Sequence, residues 1–223
     1  AGGPLYLYRL LSTRPGNAIE QSFAKVDAVT APDTQAREAM SKPLSALQAW
    51  ASSNQQPALA ELCSEYAAHS QSGITRLLNG PTGERNSYAI LPREHVLCLA
   101  EVESDLLTQL AAVLAVGSSA VLPQSELAKA LLARLPKEVQ ARITLVADWT
   151  KDDVIFDAVL HHGDCDQLRD VCQQVAQRAG AIVGVQGLSQ GETNIALERL
   201  VIERALSVNT AAAGGNASLM TIG

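Results

Sequence analysis

Between Val96 and Val185 the chain repeats one pattern: a strand-length apolar run, then a longer segment of helical character. The runs are Val96 to Ala100, Ala120 to Leu122, Ile143 to Ala147, Val154 to Leu160 and Ala181 to Val185. Helices are expected over Glu103 to Val116, Ser125 to Leu135 and Asp166 to Ala179, with Ser125 as a cap. Strands alternating with helices of this length form βαβ units and a parallel sheet. Such a sheet is covered on both faces, so its strands read as continuous apolar runs.

The flanks read differently. LYLYRLL, from Leu5, alternates like a strand and ends at Arg14-Pro15-Gly16-Asn17. Thr34 to Ala51 carries apolar residues at helical spacing, with Pro43 expected to kink or divide the helix. Gln56 to Ser70 is a second helix: Pro57 suits its first turn, and Leu59, Leu62, Cys63 and Tyr66 share a face. Gly80-Pro81-Thr82-Gly83 marks a boundary, and Ser87 to Leu91 is another run of strand length. Gly187 to Glu192 reads as a turn. The charges at Glu198, Arg199, Glu203 and Arg204 would suit a helix over Ile195 to Val208, but a strand returning as a hairpin with Ala181 to Gln186 is the favoured expectation. The fold class is therefore α/β: a Rossmann-like, mostly parallel sheet with flanking helices, a preceding helical segment, and a C-terminal β-hairpin flap with a docking tail.

That tail, Asn209 to Gly223, has no charged side chain and combines Gly214 and Gly215 with Leu219, Met220 and Ile222. Free chain ends are usually polar. An apolar end with glycines, which allow close backbone approach, reads as a segment that docks. Docking on its own domain and docking on another are both open.

Composition excludes several function classes. A formal charge of −6 with no Lys/Arg cluster argues against nucleic-acid contact. No run of about eighteen apolar residues is present, so no membrane-spanning helix is expected, nor, from the basic-then-apolar pattern such a segment would need, a secretory leader. The four cysteines, Cys63, Cys98, Cys165 and Cys172, include no CxxC. Cys165 and Cys172 would lie roughly 10 Å apart along a helix, too far for a disulfide. Reduced thiols in a cytosolic protein are the simplest expectation. The start at Ala1, without Met, suggests a piece of a longer polypeptide. Apolar residues make up 47% but aromatics only 4%, so the core must be built from Ala, Leu and Val.

A doubly wound sheet invites a nucleotide, yet neither GxGxxG nor GxxxxGK[ST] occurs. Gly184, Gly187 and Gly191 have the wrong spacing and read as turn residues. His161-His162-Gly163-Asp164-Cys165-Asp166 concentrates metal-ligand types. Adjacent histidines on a strand point to opposite faces, so the plain reading is a strand-to-helix loop capped by Asp164 or Asp166, with a metal site the alternative. No GxSxG supports a serine nucleophile, and Cys98, inside an apolar run, reads as core.

Particular stretches are similar to a known family. ERLVIERALSVNTAAAGGNASLMTIG (Glu198 to Gly223) resembles the C-terminal end of the long form of proline utilization A. AGGPLYLYRLL resembles the segment closing that family's L-glutamate-γ-semialdehyde dehydrogenase domain, and GPTGERNSYAILPR (Gly80 to Arg93) the start of its C-terminal domain. The resemblance implies a division into 1–15, the end of the upstream dehydrogenase domain; 16–80, a helical linker; 81–180, a Rossmann-like domain related to aldehyde dehydrogenases; and 181–223, a β-flap with a docking tail. It implies a parent that oxidises proline to glutamate with FAD and NAD, both bound upstream. It also implies a cytoplasmic setting, in which the parent could lie peripherally at the inner membrane face.

Held against the aldehyde dehydrogenase pattern, LAVGSSAVLPQSE (Leu114 to Glu126) puts Pro123 where a lysine would reach the cofactor ribose. In LHHGDCDQL (Leu160 to Leu168), Gly163 keeps the first glycine of the phosphate segment, Asp164 replaces its serine and Leu168 its second glycine. Gln186, in AIVGVQG, stands at the general-base glutamate and cannot take up a proton. NTAAAGGNASLM offers Ser218 near the nucleophile position. These departures imply no catalytic residue, cofactor or metal in this stretch, and docking through Asn209, Gly214, Gly215, Asn216, Leu219, Met220 and Ile222. The implied partner is the upstream semialdehyde dehydrogenase domain, of the same or a neighbouring chain. An independent NAD-dependent aldehyde dehydrogenase and a self-association module, as in a homodimer, are the alternatives.

Overall fold

Two helices lead into the described part of the molecule. The computed structural model describes residues 34–209, with side chains from residue 41 onward. The strand expected at Leu5 and the tail from Thr210, with Gly214, Gly215, Asn216, Leu219, Met220 and Ile222, lie outside the described residues. Helix α1 (Thr34–Ser53) runs undivided through Pro43. Gln55, at φ 58°, turns the chain, and Pro57 opens α2 (Pro57–His69). Leu44, Leu47 and Ala51 of α1 share one core with Leu59, Leu62, Cys63 and Tyr66 of α2.

The strands that follow fall into two sheets. Strands β1 (Thr75–Leu78) and β2 (Glu84–Pro92) form a hairpin whose turn places Gly83 at φ 87°, a conformation open to glycine. The parallel sheet comprises β3 (His95–Leu99), β4 (Ser119–Pro123), β5 (Ile143–Val146), β6 (Ala158–His162) and β7 (Gly184–Leu188), in the order β5-β4-β3-β6-β7. Its crossovers carry α3 (Glu103–Val116), α4 (Glu126–Arg134), the single turn α5 (Lys137–Gln140) and α6 (Cys165–Ala176).

Alternate residues of each central strand serve opposite layers. Val96, Cys98, Ala120, Leu122, Ala158 and Leu160 pack with α1, α2, α3 and α4. Leu97, Val121 and Val159 face Phe156 and the α6 residues Val171 and Val175. This two-sided burial is what the continuous apolar runs predict. Helix α3 is buried from Asp105 to Leu114, because the α1–α2 pair covers the side turned away from the sheet. A helix apolar all round must be covered all round.

The hairpin expected between Ala181–Gln186 and Ile195–Val208 does not form. Strand β7 pairs in parallel with β6, Gly184 opposite Ala158 through Leu188 opposite His162. Ile195, Ala196, Leu197 and Leu200 are buried around a 3-10 turn (Leu197–Arg199), so the next strand starts only at Val201. That strand, β8 (Val201–Asn209), runs antiparallel to β2 over nine pairs, from Pro92–Val201 to Glu84–Asn209. Tyr88 of β2 donates its hydroxyl to Glu203 at 2.5 Å, fixing the register. The flap is therefore the three-stranded sheet β1-β2-β8, with β8 at its edge. The turn also starts later than expected: Gly184 and Gly187 lie within β7, and only Gly191, at φ 78°, belongs to the turn.

Candidate functional site

Strand order reverses at β3. The chain steps from β3 out to β4 and β5, then returns to place β6 on the other side of β3. In open α/β sheets the crevice at such a switch point, beyond the carboxyl ends of the strands, is where ligands bind. Here it is a cavity of about 460 Å³, lined by Glu101, Asp105, His162, Asp164, Gln167 and Ser189 among others. Three of those six are carboxylates, an unfavourable surround for an anion.

The β6–α6 loop forms one wall. Asp164 is the N-cap of α6, and its carboxylate accepts the N–H groups of Asp166 at 2.9 Å and Gln167 at 2.8 Å. Gln167 Oε1 accepts the Asp164 N–H in return at 3.0 Å, completing a capping box. Helix N-termini bind phosphate through such free N–H groups and the positive end of the dipole. In this helix the chain's own side chains have taken those donors, and one of them is negatively charged. Gln167 also donates to Glu101 at 3.1 Å, tying α6 to the loop after β3.

Gly163 serves this cap. A Cβ there would lie 2.4 Å from Gln167 Oε1 and 2.5 Å from His161 Cε1. Leu168 packs on Gly187 of β7, where a Cβ would lie 2.3 Å from Leu168 Cδ2. Of the other singled-out positions, Pro123 lines an adjoining apolar cavity of about 270 Å³ with Cys98 and Leu127. Gln186 lies elsewhere, beside a cavity of about 200 Å³ between β6, β7, Arg93 and Arg199, and its amide oxygen has no hydrogen-bond partner. The structure thus brings Gly163 and Asp164 together in the crevice, sets Pro123 next door, and separates Gln186 from both. Asn209 ends β8, opposite Glu84.

His161 and His162 are both buried. Burial lowers the proton affinity of His161, and a charge on neighbouring His162 would lower it further. His162 Nδ1 lies 2.8 Å from Gln109 Nε2 and its Nε2 lies 2.8 Å from the Glu192 carbonyl. Among the described residues, no group of three or more His, Cys, Asp or Glu side chains is placed to hold a metal ion. The four cysteines are free thiols. Burial pushes Cys63 up to about 12 and raises Cys98 as well, which leaves both protonated and unreactive. Sequence reasoning missed Asp105 and Gln109. Their spacing of four within the apolar helix Glu103 to Val116 was the available signal, since a polar pair there must find partners.

The described residues thus define a Rossmann-like α/β unit with an antiparallel flap. Similarity carries the identification further. Over the whole chain, 223 residues, the sequence is 56% identical to the bifunctional protein PutA of Escherichia coli K12, and over 228 residues it is 36% identical to the bifunctional protein PutA of Rhizobium meliloti. It belongs among the proline utilization A sequences as a segment, spanning 17% of the length of each of these relatives. Among solved structures, proline utilization A with proline bound in remote sites matches at a TM-score of 0.52 and 19% identity, over 78% of this chain and 24% of that one. The Bdellovibrio bacteriovorus protein inactivated by N-propargylglycine matches at 0.52 and 11%, over 70% and 20%. At these identities the two structures support the fold alone. No family model matches the chain. Among the described residues no helix is long and apolar enough to cross a membrane.

Proposed function

We propose that this segment is the non-catalytic C-terminal part of a bifunctional enzyme that oxidises proline to glutamate, and that it supports the semialdehyde dehydrogenase domain and closes the cavity through which the intermediate passes. The observation that carries this reading is the capping box at Asp164 and Gln167, in a crevice that also holds Glu101 and Asp105. A dinucleotide pyrophosphate there would lose the helix N–H donors and meet carboxylates instead, so these residues do not fit it. FAD and NAD would then belong to upstream domains.

The covering role draws on the flap. Ile202, Leu206 and Val208 lie on one side of edge strand β8 and are 40%, 46% and 43% exposed. Three exposed apolar side chains on one side of an edge strand, interrupted there only by Arg204, are costly to leave in water and suit pairing with another surface. The apolar tail that follows would extend the same contact onto the neighbouring domain, of the same or a partner chain. Enclosing a reactive aldehyde limits its escape and side reactions.

Deleting Thr210 to Gly223 from the full-length enzyme tests the role. Coupled proline-to-glutamate turnover should fall severalfold and free semialdehyde should accumulate, with proline oxidation unchanged. Coupled turnover and semialdehyde oxidation both equal to the parent would contradict it.

A further inference from the structure

Three consecutive residues of one exposed loop end on buried side chains from three different elements. The loop, residues 189–194, leaves β7 and leads to the 3-10 turn. The Gly191 N–H donates to Asp105 Oδ1, in the first turn of α3, at 3.0 Å. The Glu192 carbonyl faces His162 Nε2 on β6 at 2.8 Å. The Thr193 carbonyl accepts the Tyr66 hydroxyl, on α2. Gly191, Glu192 and Thr193 are exposed, whereas Asp105, His162 and Tyr66 are 2%, 4% and 4% exposed.

The chemistry of each contact is determined. A carbonyl only accepts, so His162 Nε2 carries the proton and Nδ1 is left as an acceptor. The Gln109 amide supplies the matching donor, 2.8 Å from Nδ1, while also donating to the Leu99 carbonyl at the end of β3 at 2.9 Å. Gln109 therefore holds the tautomer that lets His162 reach the loop. The loop closes on itself as well: Ser189 N–H donates to Glu192 Oε2 at 3.0 Å. Beyond it the chain enters the buried run Ile195, Ala196 and Leu197, and then β8.

All three outside contacts are made to loop backbone, so they specify its path and not its side chains. If the loop moved, Asp105 Oδ1 and His162 Nε2 would lose the partners described and Tyr66 its acceptor, and buried polar atoms are costly to strand. We propose that Asp105, His162 and Tyr66, with Gln109 behind His162, are positioning residues that make the switch-point crevice the anchor for the arm carrying β8. They set the angle at which the flap leaves the parallel sheet. This deepens the covering role proposed above and rests on it for its consequence in turnover, though not for the anchoring itself.

Hydrogen exchange on the full-length enzyme, followed by mass spectrometry, tests the anchor in Tyr66→Phe, in Asp105→Ala and in the two combined. Asp105→Asn, which keeps the accepting oxygen, is the rescue. In the combined variant, peptides covering residues 189–201 should exchange about tenfold faster or more, while β3 and β4 keep their parental protection. Tyr66→Phe removes one oxygen and should give a smaller increase in the same peptides. Asp105→Asn should match the parent. Unchanged loop exchange, or exchange raised equally in β3 and β4, overturns the proposal. Coupled turnover measured on the same variants keeps the two readings apart. A loosened loop with parental turnover upholds the anchor and sinks the covering role, whereas a loop that stays protected sinks the anchor whatever the turnover.

Discussion

Asp164 does with one carboxylate what a phosphate does in a nucleotide-binding relative of such a sheet: it occupies the first N–H groups of the helix after the strand. Its loss should therefore read as the loss of a cap. Asp164→Ala should destabilise the chain by about 1 kcal/mol, and Asp164→Asn by a few tenths at most. Denaturant midpoints check both; an Asn variant as weak as the Ala variant would show that charge, and not capping geometry, is what matters. His161 gives a pH dependence. Its folded-state proton affinity is depressed, chiefly by burial. The unfolded chain therefore binds this proton more readily, and stability should be full above about pH 6.5 and fall as pH drops below it. His161→Leu should flatten that decline between about pH 7 and pH 5, measured as the denaturation midpoint against pH. An unchanged slope would assign the decline to other groups. The meaning of Asp164 was only partly legible in sequence: the Asp-x-x-Gln spacing signals a capping box, but the crevice beside it depends on strand order.

At the scale of elements, local pattern located most of the fold. The helices at Pro57–His69, Glu103–Val116 and Glu126–Arg134 follow from apolar spacing, from Pro57 in a first turn, and from Ser125, whose side chain accepts the Ala128 N–H at 3.0 Å. What local pattern could not carry was the partner of β8. Leu91 and Ile202 stand opposite each other across more than a hundred residues of chain, and nothing in either segment names the other. Proximity in sequence favoured β7, but β7 was already committed to β6. Pro43 misled for a related reason: α1 is held by packing on α2 and α3, which outweighs the cost of a proline within a helix. The flap offers its own prediction. Leu206, 46% exposed on β8, can become Asp with little effect on the fold of the chain, within about 0.5 kcal/mol. In the full-length enzyme the same substitution should lower coupled turnover and release semialdehyde. Parental turnover in Leu206→Asp would remove the flap from the covering surface.

For the whole molecule, the parallel sheet keeps both buried faces and its α3 layer while the helix N–H groups at its crevice are capped by Asp164 and Gln167. The packing that makes such a sheet stable is independent of the groups that make it bind, so one can persist without the other. The central claim proposed is that the crevice suits no dinucleotide, because the helix N–H groups are already taken and Glu101, Asp105 and Asp164 line it. Calorimetric titration of this 223-residue chain with NAD tests it most directly. The account predicts no saturable heat up to about 1 mM, the concentration at which even a weak site of ~4 kcal/mol would be half filled. Saturable one-to-one binding, abolished by a substitution at Gly163 or Pro123, would contradict it.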